Sequence, residues 1–318
     1  MIAGRRHGQR PGAGFAWVVV FAVVASAPAP SWGFGLFSKP AARTQKSATA
    51  RGFTADEVAA LVRQALDELR YVDAGTWLDQ AKINGVHSPE LAILNGQLFL
   101  ARGRFAEALE MFHPVATGTP ADARALEGEG IALSMLGRSD EAMATLKTAT
   151  GLDKTLWRGW NCLGREYDLR RDWADAGGAY AAALAAPGVR PAMVLNNRGY
   201  SLLLQNKPGE ASADFIAALA KEPALAAART NLRLALAWEG AYDRAAVTGA
   251  GDDRAAVLNN VGLAAALRGD YVQADKYLTA AMAAKGQYYD RASENLQLSR
   301  SLAERKDPAS TLAPNAAR

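Results

Sequence analysis

A spacing of 34 residues constrains this chain more than any other feature. Gly96, Gly130 and Gly164 stand 34 apart, and Ala74, Ala108, Ala142 and Ala176 keep the same step, as do Gly103 and Gly137. With one residue inserted the frame continues to Gly199 and Ala211. It resumes at Gly262 and Ala274 after a shortened unit holding Ala245. A fixed period of this length means that one supersecondary unit is used again and again, and that each unit hides its apolar face only against its neighbours. Half of the 318 residues are apolar, alanine is abundant and runs of strand-favouring residues are scarce, so the unit is helical. The frame predicts units at 55–88, 89–122, 123–156, 157–191, 192–225, 226–254 and 255–288, closed by a helix at 289–305.

The recurring small residues have a physical reading. Gly and Ala are expected to face each other where the two helices of a unit cross, with aromatic and leucine side chains filling the space around them. Gly103, Gly137, Gly240 and Gly269 are expected to end the first helix in a left-handed conformation, and Pro120 and Pro223 to stop the second. The unit at 226–254 is five residues short. Its second helix is expected to end near Val247, making this junction the weakest and a place for a bend or local opening.

The pattern resembles the tetratricopeptide repeat. One unit has Trp160, Leu163, Gly164 and Tyr167 in W-x2-L-G-x2-Y spacing, followed by Ala176, Tyr180 and Ala183. Another has Gly96, Phe99, Ala108, Phe112 and Pro120, and a third Gly199, Ala211, Phe215, Ala218 and Pro223. The first unit departs from the pattern with Val62 in the glycine position, and the sixth with Arg233. The resemblance, over about residues 55–305, implies an all-α fold: a right-handed α-solenoid of about seven helix-turn-helix repeats with a C-terminal capping helix.

The termini differ from the body. Met1–Gly14 is basic, Phe15–Ala25 is apolar, and Ser26–Phe34 is small and broken by proline, the layout of a secretory signal over residues 1–33. Either Ala25-Ser26-Ala27 or Ser31-Trp32-Gly33 could precede a cleavage point, and an uncleaved signal would serve as an anchor. The expected location is the periplasm, with a flexible linker at 34–53 and a disordered tail at 306–318. Residues 1–53 hold seven basic and no acidic side chains, leaving 29 basic against 32 acidic in the rest. The body is therefore slightly acidic and has no electrostatic footprint for nucleic acid.

No catalytic constellation stands out. His87 and His113 lie near helix ends in different units, and no cysteine or second histidine sits at metal-ligand spacing, so neither a metal nor another cofactor is expected. Cys162 is a small packing residue with no histidine placed to activate it. Tryptophans such as Trp160 occupy packing positions of the repeat. The chain reads as a binding protein, not an enzyme.

A partner would lie along the first helices, which the resemblance places on the inner face of the array. At the fifth or sixth position of successive units stand Asn161, Asn196, Asn197, Asn231, Asn259 and Asn260. At the ninth are Arg165 and Tyr200, and at the twelfth Asp168. Each amide can donate to and accept from a guest's main chain, so such a ladder suits an extended peptide or a helix of a partner protein. The same asparagines could instead satisfy backbone groups of adjoining helices. The lysine and asparagine clamp of chaperone-binding members is missing, since its places hold Ile93, Gln97, Glu127 and Ile131.

The runs Leu195–Leu204, Ala228–Ala237 and Leu258–Gly262 resemble the TadD-type tetratricopeptide proteins of tight-adherence (Flp) pilus loci. That resemblance implies an exported assembly factor for the pilus secretion machinery, binding a secretin or another pilus component. One departure concerns anchoring: the family often carries a lipidated cysteine after its signal, and no cysteine precedes Cys162 here. The alternative is a general periplasmic adaptor for another envelope system, such as polysaccharide export or outer-membrane protein assembly.

Overall fold

The computed structural model describes residues 53–249, 251–285 and 289–306. The expected signal at 1–33, nearly all of the linker and the tail beyond Lys306 lie outside the described residues. Among these residues there are fifteen helices and no strand. They follow one another in pairs: α1 (Ala55–Asp67) and α2 (Tyr71–Ile83), α3 (Pro89–Ala101) and α4 (Phe105–Ala116), α5 (Ala123–Met135) and α6 (Ser139–Leu152), α7 (Trp157–Arg170) and α8 (Trp173–Ala185). Then come α9 (Pro191–Leu204) and α10 (Pro208–Lys221), α11 (Ala226–Glu239) and α12 (Tyr242–Ala245), and α13 (Arg254–Arg268) and α14 (Tyr271–Lys285), with α15 (Asp290–Lys306) last. The all-α architecture of consecutive helix pairs expected from the repeat is thus what the chain adopts. Two compact units divide it between Arg198 and Gly199, within α9.

Close helix crossings explain the glycine period, but not through the alanines. A methyl built on Gly96, Gly130 or Gly164 would stand 2.6–2.7 Å from Phe112, Leu146 or Tyr180. In the second unit Gly199 meets Phe215 and Gly262 meets Leu278 at the same 2.6–2.7 Å. Each partner lies sixteen residues after its glycine, one turn beyond the alanine expected to face it. All five partners are completely buried. The alanine is buried beside its helix neighbours and lets the second helix approach; the glycine receives a large side chain as a knob in a hole. Burying each such side chain contributes about 1.5–3 kcal/mol.

The turns within pairs share one conformation. Leu69, Gly103, Gly137, Arg171, Asn206, Gly240 and Gly269 all have positive φ. Each stands fourteen residues after the first residue of its repeat frame. The four glycines take this left-handed turn freely, whereas an L side chain there costs about 1–2 kcal/mol. The sequence pattern marks the glycines but not Leu69, Arg171 and Asn206, whose side chains disguise the same turn.

Several first helices begin with side-chain caps. Thr54 forms a capping box with Glu57, Ser88 accepts from the Leu91 N–H, and Asp122 from those of Arg124 and Ala125. Helix α7 has no such cap at Leu156. Instead Glu127 of α5 accepts from the Gly159 N–H at 2.6 Å, so the neighbouring repeat caps it. Burial raises the Glu127 carboxyl above its ordinary value, with the Gly159 hydrogen bond opposing.

The second helix of the sixth repeat is shorter than expected, four residues ending at Ala245 rather than near Val247. Its first helix carries Arg233 where five of the other frames hold glycine and the first holds Val62.

Candidate functional site

In the unit ending at Arg198, the expected groove residues interlock. The Asn197 Nδ2 donates to the Asn161 Oδ1 at 3.1 Å, joining α7 to α9. The Asn196 Nδ2 donates to the Asn197 Oδ1 at 3.3 Å. Asn161 and Asn196 are buried, whereas Asn197 and Arg165 are half-buried. Asp168 is buried, and its Oδ2 accepts the Tyr180 hydroxyl at 2.8 Å. Burial, and after it the Asp168 carboxylate, push the Tyr180 phenol well above its ordinary value, so it stays a neutral donor. Asp168 therefore positions the ring that fills the Gly164 notch.

The unit beginning at Gly199 repeats the amide pairing. The Asn295 Nδ2 of α15 donates to the Asn259 Oδ1 at 2.9 Å, and the Asn259 Nδ2 to the Asn260 Oδ1 at 3.2 Å. Asn259 is only 1% exposed. Asn260, Asn231 and Tyr200 are half-buried. In both units the bond between helices spans 36 residues. The nine predicted residues thus fall into two kinds. Asn161, Asn196, Asn259 and Asp168 are buried and bonded within the fold. Arg165, Asn197, Tyr200, Asn231 and Asn260 are half-buried.

Several polar contacts have no counterpart in the sequence pattern. Glu90 of α3 bridges Arg63 of α1 and Arg124 of α5, at 2.7 and 2.6 Å. Partial burial alone would raise its carboxyl, but Arg124 and Arg63 outweigh that and hold it below the usual range. Glu166, 1% exposed, accepts from Ser134 and Ser139, and Glu239 accepts from Ser212. Ser139–Glu166 and Ser212–Glu239 share one separation of 27 residues. A groove of about 520 Å³ is lined by Leu109, His113, Glu129, Leu133, Arg138 and Glu141 among others. Across it the His113 Nδ1 lies 2.7 Å from the Glu129 Oε1.

No group of three or more histidine, cysteine, aspartate or glutamate side chains is arranged to hold a metal among the described residues. Cys162 is buried, and burial pushes its thiol up, away from thiolate chemistry. Among the described residues no helix is long and apolar enough to cross a membrane.

The tetratricopeptide repeat family matches residues 99–155, the stretch that holds Gly103, Ala108, Phe112, Gly130, Gly137 and Leu146. Residues 99–155 thus carry tetratricopeptide repeat sequence. Solved tetratricopeptide-like folds agree. A chain of the APC/C hetero-tetramer Cut9–Hcn1 shares 18% identity at a TM-score of 0.52, over 77% of this chain and 46% of that one. TTC0263, a thermophilic tetratricopeptide protein of Thermus thermophilus, shares 21% at 0.50, over 57% and 99%. Pseudomonas aeruginosa pilF shares 19% at 0.50, over 65% and 95%. This chain spans less than half of the Cut9–Hcn1 chain, and identities this low show the fold alone. A comparison with curated proteins returns no match.

Proposed function

We propose that this tetratricopeptide chain is a non-enzymatic exported scaffold that binds a segment of another protein along its first helices. The observation that carries this reading is the amide pairing found in both units. Asn161–Asn197 joins two first helices and Asn259–Asn295 a first helix to the closing helix, each across 36 residues. The buried amides Asn161, Asn196 and Asn259 fix half-buried Asn197 and Asn260 in place before a guest arrives. Preorganised donors and acceptors within each unit suit an extended main chain, because the ordering cost is met during folding.

The finer reading is assembly of a tight-adherence pilus or its secretion machinery in the periplasm, with a secretin or pilus component as partner. It rests on the resemblance of Leu195–Leu204, Ala228–Ala237 and Leu258–Gly262 to the TadD-type proteins, and on the tripartite N-terminus. The fold of pilF is compatible with it. Affinity capture from envelope extracts, with this chain as bait, tests it. Recovery of a secretin or pilus protein that is lost on Asn197→Asp substitution supports the reading; its absence from the captured set refutes it.

A further inference from the structure

In five repeats a glycine on the first helix receives a large side chain sixteen residues later. The sixth repeat exchanges the sizes. Arg233 stands in the glycine position, and sixteen residues on stands Gly249. Helix α12 stops at Ala245, before it could bring any side chain to that place.

The guanidinium of Arg233 occupies the register and bonds to the segment after α12. Its Nε donates to the Val247 carbonyl at 3.1 Å, and its Nη2 to the Asp252 Oδ2 at 2.5 Å. The same Oδ2 accepts the Gly249 N–H at 2.7 Å, and the Arg229 Nε lies 3.7 Å from the Oδ1. The Arg233 and Asp252 side chains are only 15% and 12% exposed. Val247 is 65% exposed, so apolar burial holds this stretch weakly. Other charged groups nearby are engaged elsewhere: Asp253 with Lys285, and Asp243 with Lys276 and Tyr277.

We propose that Arg233 and Asp252 form a latch, a polar replacement for the missing half-helix, which holds the stretch after α12 against α11 and makes this junction a local hinge that opens when the pair is broken. Charge-assisted bonds need close, directed contact, so a latch of this kind is either made or lost, whereas a glycine notch yields only with its whole helix pair.

Hydrogen exchange of the full chain, read by mass spectrometry, tests the latch with two variants, Arg233→Met and Asp252→Asn. Each is expected to speed exchange across residues 241–254 by about tenfold, leaving Pro208–Lys221 unchanged. The two together should do no more than either alone. Unaltered exchange in 241–254 overturns the proposal. A uniform rise throughout 199–285 in both variants also overturns it, because Arg233 would then hold the whole unit rather than the junction.

Discussion

Substituting Gly164 and Gly178 by alanine should change stability in opposite directions, although both glycines lie in helices of one repeat. A methyl at 164 would stand 2.7, 2.8 and 2.9 Å from Cε1, Cζ and Cδ1 of Tyr180. The ring cannot swing away, because it is fully buried and its hydroxyl is held by Asp168 at 2.8 Å. Overpacking of this sort costs about 1–3 kcal/mol, and alanine returns about 1 kcal/mol of helix propensity. The net loss should be roughly 1 kcal/mol, with values up to about 2 if the helices separate. At 178 nothing lies within 4 Å of the new methyl. Only the propensity acts there, so Gly178→Ala should stabilise by about 0.8 kcal/mol. Urea titration followed by ellipticity at 222 nm reads both as shifts of midpoint. A Gly164→Ala protein as stable as the wild type would refute the notch as the cause of the 34-residue glycine period.

Leu69, left-handed and 38% exposed, should be improved by glycine. Removing about 1–2 kcal/mol of backbone strain against the greater chain entropy of glycine leaves a gain of about 0.5 kcal/mol in the same titration. Glu127→Ala strips the cap from the buried Gly159 N–H and should cost about 1–3 kcal/mol. Glu127→Gln keeps an acceptor without the charge and should be neutral or stabilising at pH 7. Because the folded carboxyl is raised, the wild type loses stability as pH rises above the unfolded carboxylate range, and the glutamine variant should lack that loss. Asp252 behaves in the opposite sense: Arg233, then the Gly249 N–H, hold its carboxyl low. Its contribution is present above the unfolded carboxylate range and disappears as pH falls through the depressed folded value; Asp252→Asn should flatten that acid limb.

The helical repeat was plain in the sequence because the same small residues return at one step and small residues are what close crossings require. The partner of each glycine was not. It is Phe112, Leu146, Tyr180, Phe215 or Leu278, and a position that changes its residue does not show up as a repeat, so the steadier alanine drew the inference instead. The amide bonds were hidden for a related reason: Asn161–Asn197 and Asn259–Asn295 span 36 residues, off the 34-residue step. Residue types at the groove were legible, but burial was not. Asp168 resembles a free carboxylate until Tyr180 is seen to donate to it. Arg233 looked like a blemish in the frame, and only the early end of α12 gives it a purpose.

The central claim, that the first helices hold a protein segment, is tested most directly by photo-cross-linking inside cells from position 197, with position 178 on the exposed side of α8 as control. The account predicts one defined protein captured from 197, mapped by mass spectrometry to a single segment, and nothing equivalent from 178. The same products from both positions, or none from 197, would contradict it.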